Sequence, residues 1–230
     1  GAMVRAGDCH HAVMEVFSFH PVKTIAMGEG GAITTNDAAL DRQLRLYRNH
    51  GLVRDPAAFQ NRDDAFSAGG QVNPWFYEMQ ALGYNYRVSD INCALGLSQL
   101  GKLDAFARRR RALAARYDDL IGRVGPLVRP VGRVPGCVPL WHLYAVLIDF
   151  EGAGVDRAGV MARLGEAGVG TQVHYYPVHR QPYYADRYGT QVLPGADRYY
   201  ARTLSLPLFP AMADDDVDYV IDRLGDVLER

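Results

Sequence analysis

The 230-residue chain is 48% hydrophobic and 22% charged, an ordinary globular composition sufficient for one large domain or two small ones. A formal net charge of −1 gives no electrostatic reason for nucleic acid or an anionic membrane surface as a partner. No apolar run approaches membrane-spanning length, no signal peptide opens the sequence, and three scattered cysteines fit neither a zinc site nor a disulfide framework; these features read as a cytoplasmic protein with reduced thiols.

In chain order, Met14 to Phe19 alternates and is rich in β-formers, and Gly31 to Thr35 reads as a second short strand behind a Gly30-Gly31 turn. Asn36-Asp37 then caps a helix with Leu40, Leu44 and Tyr47 on its apolar face, stopped by Gly51. Residues 52–74 are polar and read as a long loop, a length that usually marks function or mobility. Ser89 is placed to cap a helix that is apolar on most faces and is therefore expected to be buried. From Lys102 to Ile121, Leu103, Phe106, Leu113, Tyr117 and Leu120 recur at helical spacing. The Arg108–Arg111 run on that helix spreads around most of its circumference, so a solvated surface is expected rather than a nucleic-acid face.

A Pro/Gly-rich stretch, 125–139, precedes a change of texture. Trp141 to Phe150 reads as a strand, Asp156 to Ala167 as a helix with Val160 and Leu164 inward, and Val169 to Tyr175 as another strand. A last helix is capped by Asp214 and faced by Val217, Ile221, Leu224 and Leu228. The expected organisation is two domains, 1–110 and 111–230, with the boundary in the long helix.

Lys23 is one of two lysines among 25 basic residues, and it sits between the first two strands in an apolar, aromatic stretch. A surface position would accept arginine, as it does almost everywhere else in this chain. Lysine can do what arginine cannot: its amine can lose a proton and attack a carbonyl to form a Schiff base. A loop lysine whose stem lies on apolar surface is the competing reading of the residue by itself, at even weight. Lys102, at the exposed start of a helix, reads as a solvated charge.

The stretches "VFSFHPVK", "GEGGAITTND", "LYRNHG", "YEMQALGYNYRVSDINCALGLSQL", "WHLYAVLID" and "GVGTQVHYYPVHRQPYY" resemble the DegT/DnrJ/StrS family of sugar aminotransferases, in family order and nearly without gaps. Within it, the likeness runs to the UDP-4-amino-4,6-dideoxy-N-acetyl-β-L-altrosamine transaminases of pseudaminic acid biosynthesis. The resemblance implies an α/β fold of the aspartate-aminotransferase type (fold type I), here a portion of the large domain followed by a small α+β C-terminal domain. It implies pyridoxal 5'-phosphate (PLP) as cofactor, carried by Lys23, which also moves the proton between substrate and cofactor carbons.

Ser18 is implied to face the cofactor phosphate, although a strand serine bonded to backbone is the reading without the family. Asn85 is implied to reach the phosphate of a neighbouring subunit, with a turn asparagine as the alternative, and Arg87 to orient that loop or pair with phosphate. Gln172, Val173, His174 and Tyr175 are implied substrate contacts, the tyrosines making an aromatic pocket wall credible. His20, Glu29 and His142 are supporting candidates, no residues are assigned to a metal, and the Gly28–Gly31 run is a turn rather than a phosphate loop.

The implied reaction moves an amino group, from glutamate by family habit, to a UDP- or TDP-linked 4-keto-6-deoxyhexose, in a homodimer with shared active sites and no nucleic-acid or membrane partner. The family's chains extend further on the N-terminal side, where they carry an aspartate for the pyridine nitrogen, an aromatic stacked on the ring and a glycine/hydroxyl loop for the phosphate. No residue here matches those motifs, so this chain by itself is expected to be an incomplete enzyme. A non-catalytic module that keeps the fold for partner contacts is the alternative.

Overall fold

In the computed structural model, which describes residues 3–229, two antiparallel strands open the chain. β1 (Glu15–Ser18) and β2 (Gly31–Thr34) pair with Glu15 opposite Thr34 and Ser18 opposite Gly31. The Asp37 carboxylate accepts from the backbone N–H of Ala39 and Leu40, which starts α1 (Ala38–Arg48). Gly51, at φ +69°, turns the chain away from its end into β3 (Leu52–Val53), which pairs with β4 (Glu78–Met79).

The intervening stretch, which reads as a structureless loop in the sequence, has a small interior. It contains a 3₁₀ turn (Pro56–Ala58) and the short helix α2 (Arg62–Ala65). Phe59 is buried, with its ring edge-on to Phe66 and Phe76. Glu78 fastens the segment by accepting from the backbone N–H groups of Gln60 and Asn61 at 2.7 and 3.0 Å. Those bonds, with one from the Gln80 amide, hold its carboxyl below the usual carboxylate range.

α3 (Asp90–Leu100) starts at Ser89, whose hydroxyl accepts from Asn92 N–H. Its apolar composition predicts burial, but Ile91 and Leu97 are 83% and 71% exposed and no residue of the helix is buried. A helix apolar on several faces needs neighbours on several sides, and the elements of its own unit leave those faces uncovered. Among the described residues, Met27, Phe59 and Ala65 are the buried hydrophobics before Gly101.

The chain divides between Gly101 and Lys102 into two units with separate interiors. Gly1, Ala2 and Arg230, the outer ends of the expected domains 1–110 and 111–230, lie outside the described residues.

The second unit holds the main core. Its sheet runs β5 (Val128–Pro130), β6 (Tyr144–Ile148), β7 (Thr203–Leu206), antiparallel throughout with β6 central. Tyr144, Val146 and Ile148 alternate into the core, and all four residues of β7 are buried. α4 (Leu103–Leu120), α5 (Arg157–Glu166) and α8 (Asp214–Leu228) supply Leu113, Tyr117, Val160, Leu164, Val217 and Leu224, all fully buried. The Tyr117 and Tyr144 rings stack at 4.5 Å. Tyr117 donates to Pro207 O and Tyr144 to Asp118, and burial pushes both phenols well above their ordinary range.

The fold departs from the sequence reading in several places. β5 lies in the stretch that composition marks as Pro/Gly-rich, with Pro130 tolerated on an edge strand. α6 (Pro182–Tyr188) and α7 (Pro194–Arg202) both begin on a proline that presets the first helical φ. The last helix is capped at Ala213, whose N–H is bonded by the Asp216 carboxylate, so Asp214 is its first residue rather than its cap. Val169–Tyr175 does not form a strand; it makes a single antiparallel bridge, Gln172 to Ser205. The next N–H, of Val173, is taken by the Gln172 side chain at 2.9 Å and is lost to a ladder.

The arginine run also divides. Arg108 and Arg111 are exposed as expected, but Arg110 is 5% exposed and donates to the carbonyls of Trp141, His142 and Leu208. Arg109 pairs with Asp214 at 2.7 Å.

Candidate active site

Lys23 lies in the loop that joins β1 to β2. Backbone bonds set the loop's path: Phe19 N–H to Gly30 O at 2.9 Å, Met27 N–H to Phe19 O at 2.9 Å, and Lys23 N–H to His20 O at 2.8 Å. Gly28 and Gly30, at φ +82° and +156°, supply the turns, so the glycine run is a reversal of the chain. α3 braces the loop: Asn92 donates its amide to Glu29 O at 3.0 Å, and Gly96 leaves room for the buried Met27. His20 and Glu29 face each other across the loop at 3.8 Å.

Within that frame the Lys23 side chain is half-buried, and its amine makes no ion pair or hydrogen bond with the described residues. Ser18, at the end of β1, is exposed with its hydroxyl equally uncommitted among them. A free primary amine and a free hydroxyl on one hairpin match a carbonyl and a phosphate respectively, so the donor set fits PLP.

Asn85 belongs to an exposed segment laid against the end of α1. It forms an antiparallel bridge with Asn49, while Tyr84 N–H bonds Tyr47 O at 2.7 Å and Tyr86 N–H bonds Arg48 O at 3.0 Å. The crossing is possible because Gly51 and Gly83 lack side chains. A Cβ on Gly83 would stand 2.3 Å from Gly51 N, and one on Gly51 would stand 1.8 Å from Ala81 O. The Tyr84 and Tyr86 rings stack at 4.8 Å on either side of Asn85 in sequence. Arg87 donates to Asn49 Oδ1 at 2.9 Å, which ties down the same segment. The segment leads into α3, the helix that braces the Lys23 loop, while its own bonds tie Asn85 to the end of α1.

The remaining predicted residues lie in the second unit. Gln172 and Tyr175 are exposed, and Val173 and His174 are half-buried. The His174 ring packs edge-on against Tyr175 at 4.6 Å, and its Nδ1 lies 2.8 Å from Ser205 Oγ. His142 contributes its carbonyl to Arg110. Sequence reasoning missed Ser205 and Arg110. Both act on residues distant in the chain, and no local pattern marks either.

Among the described residues, no group of three or more His, Cys, Asp or Glu suited to a metal ion occurs and no helix is long and apolar enough to cross a membrane.

Residues 5–225 match the DegT/DnrJ/EryC1/StrS aminotransferase family model. The spore coat polysaccharide biosynthesis protein SpsC of Bacillus subtilis is 40% identical over 216 residues, which cover 93% of this chain and 53% of SpsC. The structure superposes on Helicobacter pylori PseC, an aminotransferase involved in the biosynthesis of pseudoaminic acid, with a TM-score of 0.81 and 28% identity over 95% of this chain and 54% of that one. DesI, solved in the presence of its TDP-sugar product, gives a TM-score of 0.77 and 30% identity over 95% of this chain and 50% of DesI. The chain thus spans about half the length of the relatives it matches. Its mixed α/β architecture is that of the PLP-dependent fold type I sugar aminotransferases, and the match over residues 5–225 establishes that the chain belongs to the DegT/DnrJ/EryC1/StrS aminotransferase family.

Proposed function

We propose that this chain, which spans about half the length of its relatives, contributes Lys23 to a PLP-dependent aminotransferase that moves an amino group from glutamate to a 4-keto-6-deoxy nucleotide sugar, in the cytoplasm and as a homodimer, and that the chain by itself is an incomplete enzyme. The observation that carries this reading is the uncommitted, half-buried amine of Lys23 on a loop fixed by backbone bonds and braced by α3. PLP, when bound, supplies a reactive carbonyl and a ring that accepts electrons. Lys23 Nζ holds the cofactor, then takes and returns the proton that moves during amine transfer. Ser18 Oγ donates to the phosphate and Asn85 to the phosphate of a neighbouring subunit. Gln172, Val173, His174 and Tyr175 line the nucleotide-sugar pocket.

DesI, solved with its TDP-sugar product, supports a nucleotide-sugar acceptor, and PseC supports a place in pseudaminic acid synthesis. Borohydride reduction of the protein with PLP, followed by peptide mapping, tests the reading. The pyridoxyl group is expected on Lys23, and label on Lys102 alone would refute it.

Sharing of the sites between subunits has its own test. In the complete protein, Lys23→Ala and Asn85→Ala are each expected to be inactive, and mixing with refolding should restore roughly a quarter of wild-type activity, since half of the dimers are mixed and each has one intact site. No recovery at any ratio means that each site is built within one chain.

A further inference from the structure

The loop that carries Lys23 leaves β1 at Phe19 and enters β2 through Gly30, and its return limb meets α3 at two points. Asn92, in the first turn of α3, donates its side-chain amide to Glu29 O at 3.0 Å across 63 residues of sequence. One turn further along the same helix face, Gly96 admits Met27, which is 6% exposed; a Cβ on Gly96 would stand 3.3 Å from Met27 Cβ. The approach at Asn92 is equally close, since a Cβ on Gly28 would stand 3.0 Å from Asn92 Nδ2.

Only one orientation of the Asn92 amide suits these neighbours. Glu29 O accepts and cannot donate, so the amide NH2 must face it. On the other side, the Ser89 hydroxyl accepts from Asn92 N–H at 3.3 Å and donates its own proton to Asn92 Oδ1 at 2.6 Å. The residue that caps α3 therefore also aims the amide at the loop.

We propose that Asn92 is a positioning residue for Lys23: it locks the return limb of the loop to α3 and so holds the lysine amine where a cofactor carbonyl can meet it. Met27 by itself holds the limb through apolar contact, which resists separation but has no preferred direction. The bond to Glu29 is directional and removes that freedom. Met27 N–H bonds Phe19 O and Phe19 N–H bonds Gly30 O, so both limbs move with the stretch that Asn92 holds, and Lys23 between them moves too. The proposal rests on the reading of Lys23 as the cofactor lysine, and it adds a residue that acts through the loop alone.

The test uses the complete protein with Asn92→Ala and with Asn92→Asp, which keeps the size and, at about pH 8, carries no donor. Hydrogen–deuterium exchange of the cofactor-free protein reads the loop. Borohydride trapping at graded times after addition of PLP reads the amine. Both variants should raise exchange in residues 19–30 about tenfold and slow pyridoxyl incorporation at Lys23 by a similar factor, with exchange in α1 unaltered.

Unaltered exchange in residues 19–30, a rise that extends equally to α1, or incorporation within about twofold of wild type overturns the proposal. An Asn92→Asp variant that behaves like wild type overturns it as well, because the donor would then be dispensable. If the wild-type protein takes up no pyridoxyl group on Lys23 while exchange in the loop still depends on Asn92, the clamp stands and the cofactor reading of Lys23 is what fails.

Discussion

In the complete protein, Lys23→Arg is expected to lower amine transfer on the order of 10⁴-fold while leaving the fold unchanged. The guanidinium keeps the positive charge and most of the length, but it stays protonated and cannot act as a neutral nucleophile or return a proton. The loop should tolerate the change, because its path is fixed by backbone bonds among Phe19, His20, Lys23, Met27 and Gly30 rather than by the lysine side chain. Lys102→Arg is the control: that residue is exposed at the start of α4, and its substitution should leave the rate unaltered. The measurement is 2-oxoglutarate formation from glutamate with a UDP-4-keto sugar, alongside circular dichroism. A Lys23→Arg variant within tenfold of wild type would show that this amine does not carry the chemistry.

Arg110→Met is expected to destabilise the second unit by about 3–5 kcal/mol, measured by urea unfolding. The Arg110 guanidinium reaches the carbonyls of Trp141 and His142, both at 3.1 Å, and of Leu208 at 2.9 Å. It thereby fastens the entry to β6 and the exit from β7 to the middle of α4. Burial lowers its pKa from the ordinary arginine value, and the side chain remains a cation surrounded by backbone oxygens. Methionine fills much of the same volume and donates nothing, so three carbonyls lose their partner together. Arg108→Ala and Arg111→Ala, on the exposed side, should each stay within about 0.5 kcal/mol of wild type. A loss below about 1 kcal/mol for Arg110→Met would mean that other donors replace the guanidinium at those carbonyls.

The same run of arginines shows where sequence reading stops. Helical geometry requires that four consecutive side chains spread around the axis, so the run is not a single basic face. Which of the four points inward depends on carbonyls 31 to 98 residues away in the chain. The missed interior of residues 52–74 has the same origin. Phe59, Phe66 and Phe76 lie on no continuous helix or strand, and they meet in a segment whose backbone at Gln60 and Asn61 is held by Glu78. α3 errs in the opposite direction: its apolar composition calls for partners, but composition cannot say that its own unit leaves Ile91 and Leu97 uncovered.

The sequence by itself determined what is local. At Lys23, composition left amine chemistry and a snorkelling stem at even weight, and only the family resemblance implied the first. Asp37, Ser89 and Asp156 start α1, α3 and α5 through hydrogen bonds that span only two or three residues. The inward faces of α4, α5 and α8 follow from helical spacing, since the period of the helix and the period of the apolar residues are the same physical fact. Tertiary structure alone decided the partners of polar groups: Arg110 with three carbonyls, Asn92 with Glu29, Asn85 with Asn49 and His174 with Ser205. A buried donor or acceptor must be satisfied, but any residue the fold brings within about 3 Å can satisfy it. The choice is therefore made by packing in three dimensions and leaves no periodic trace in the chain.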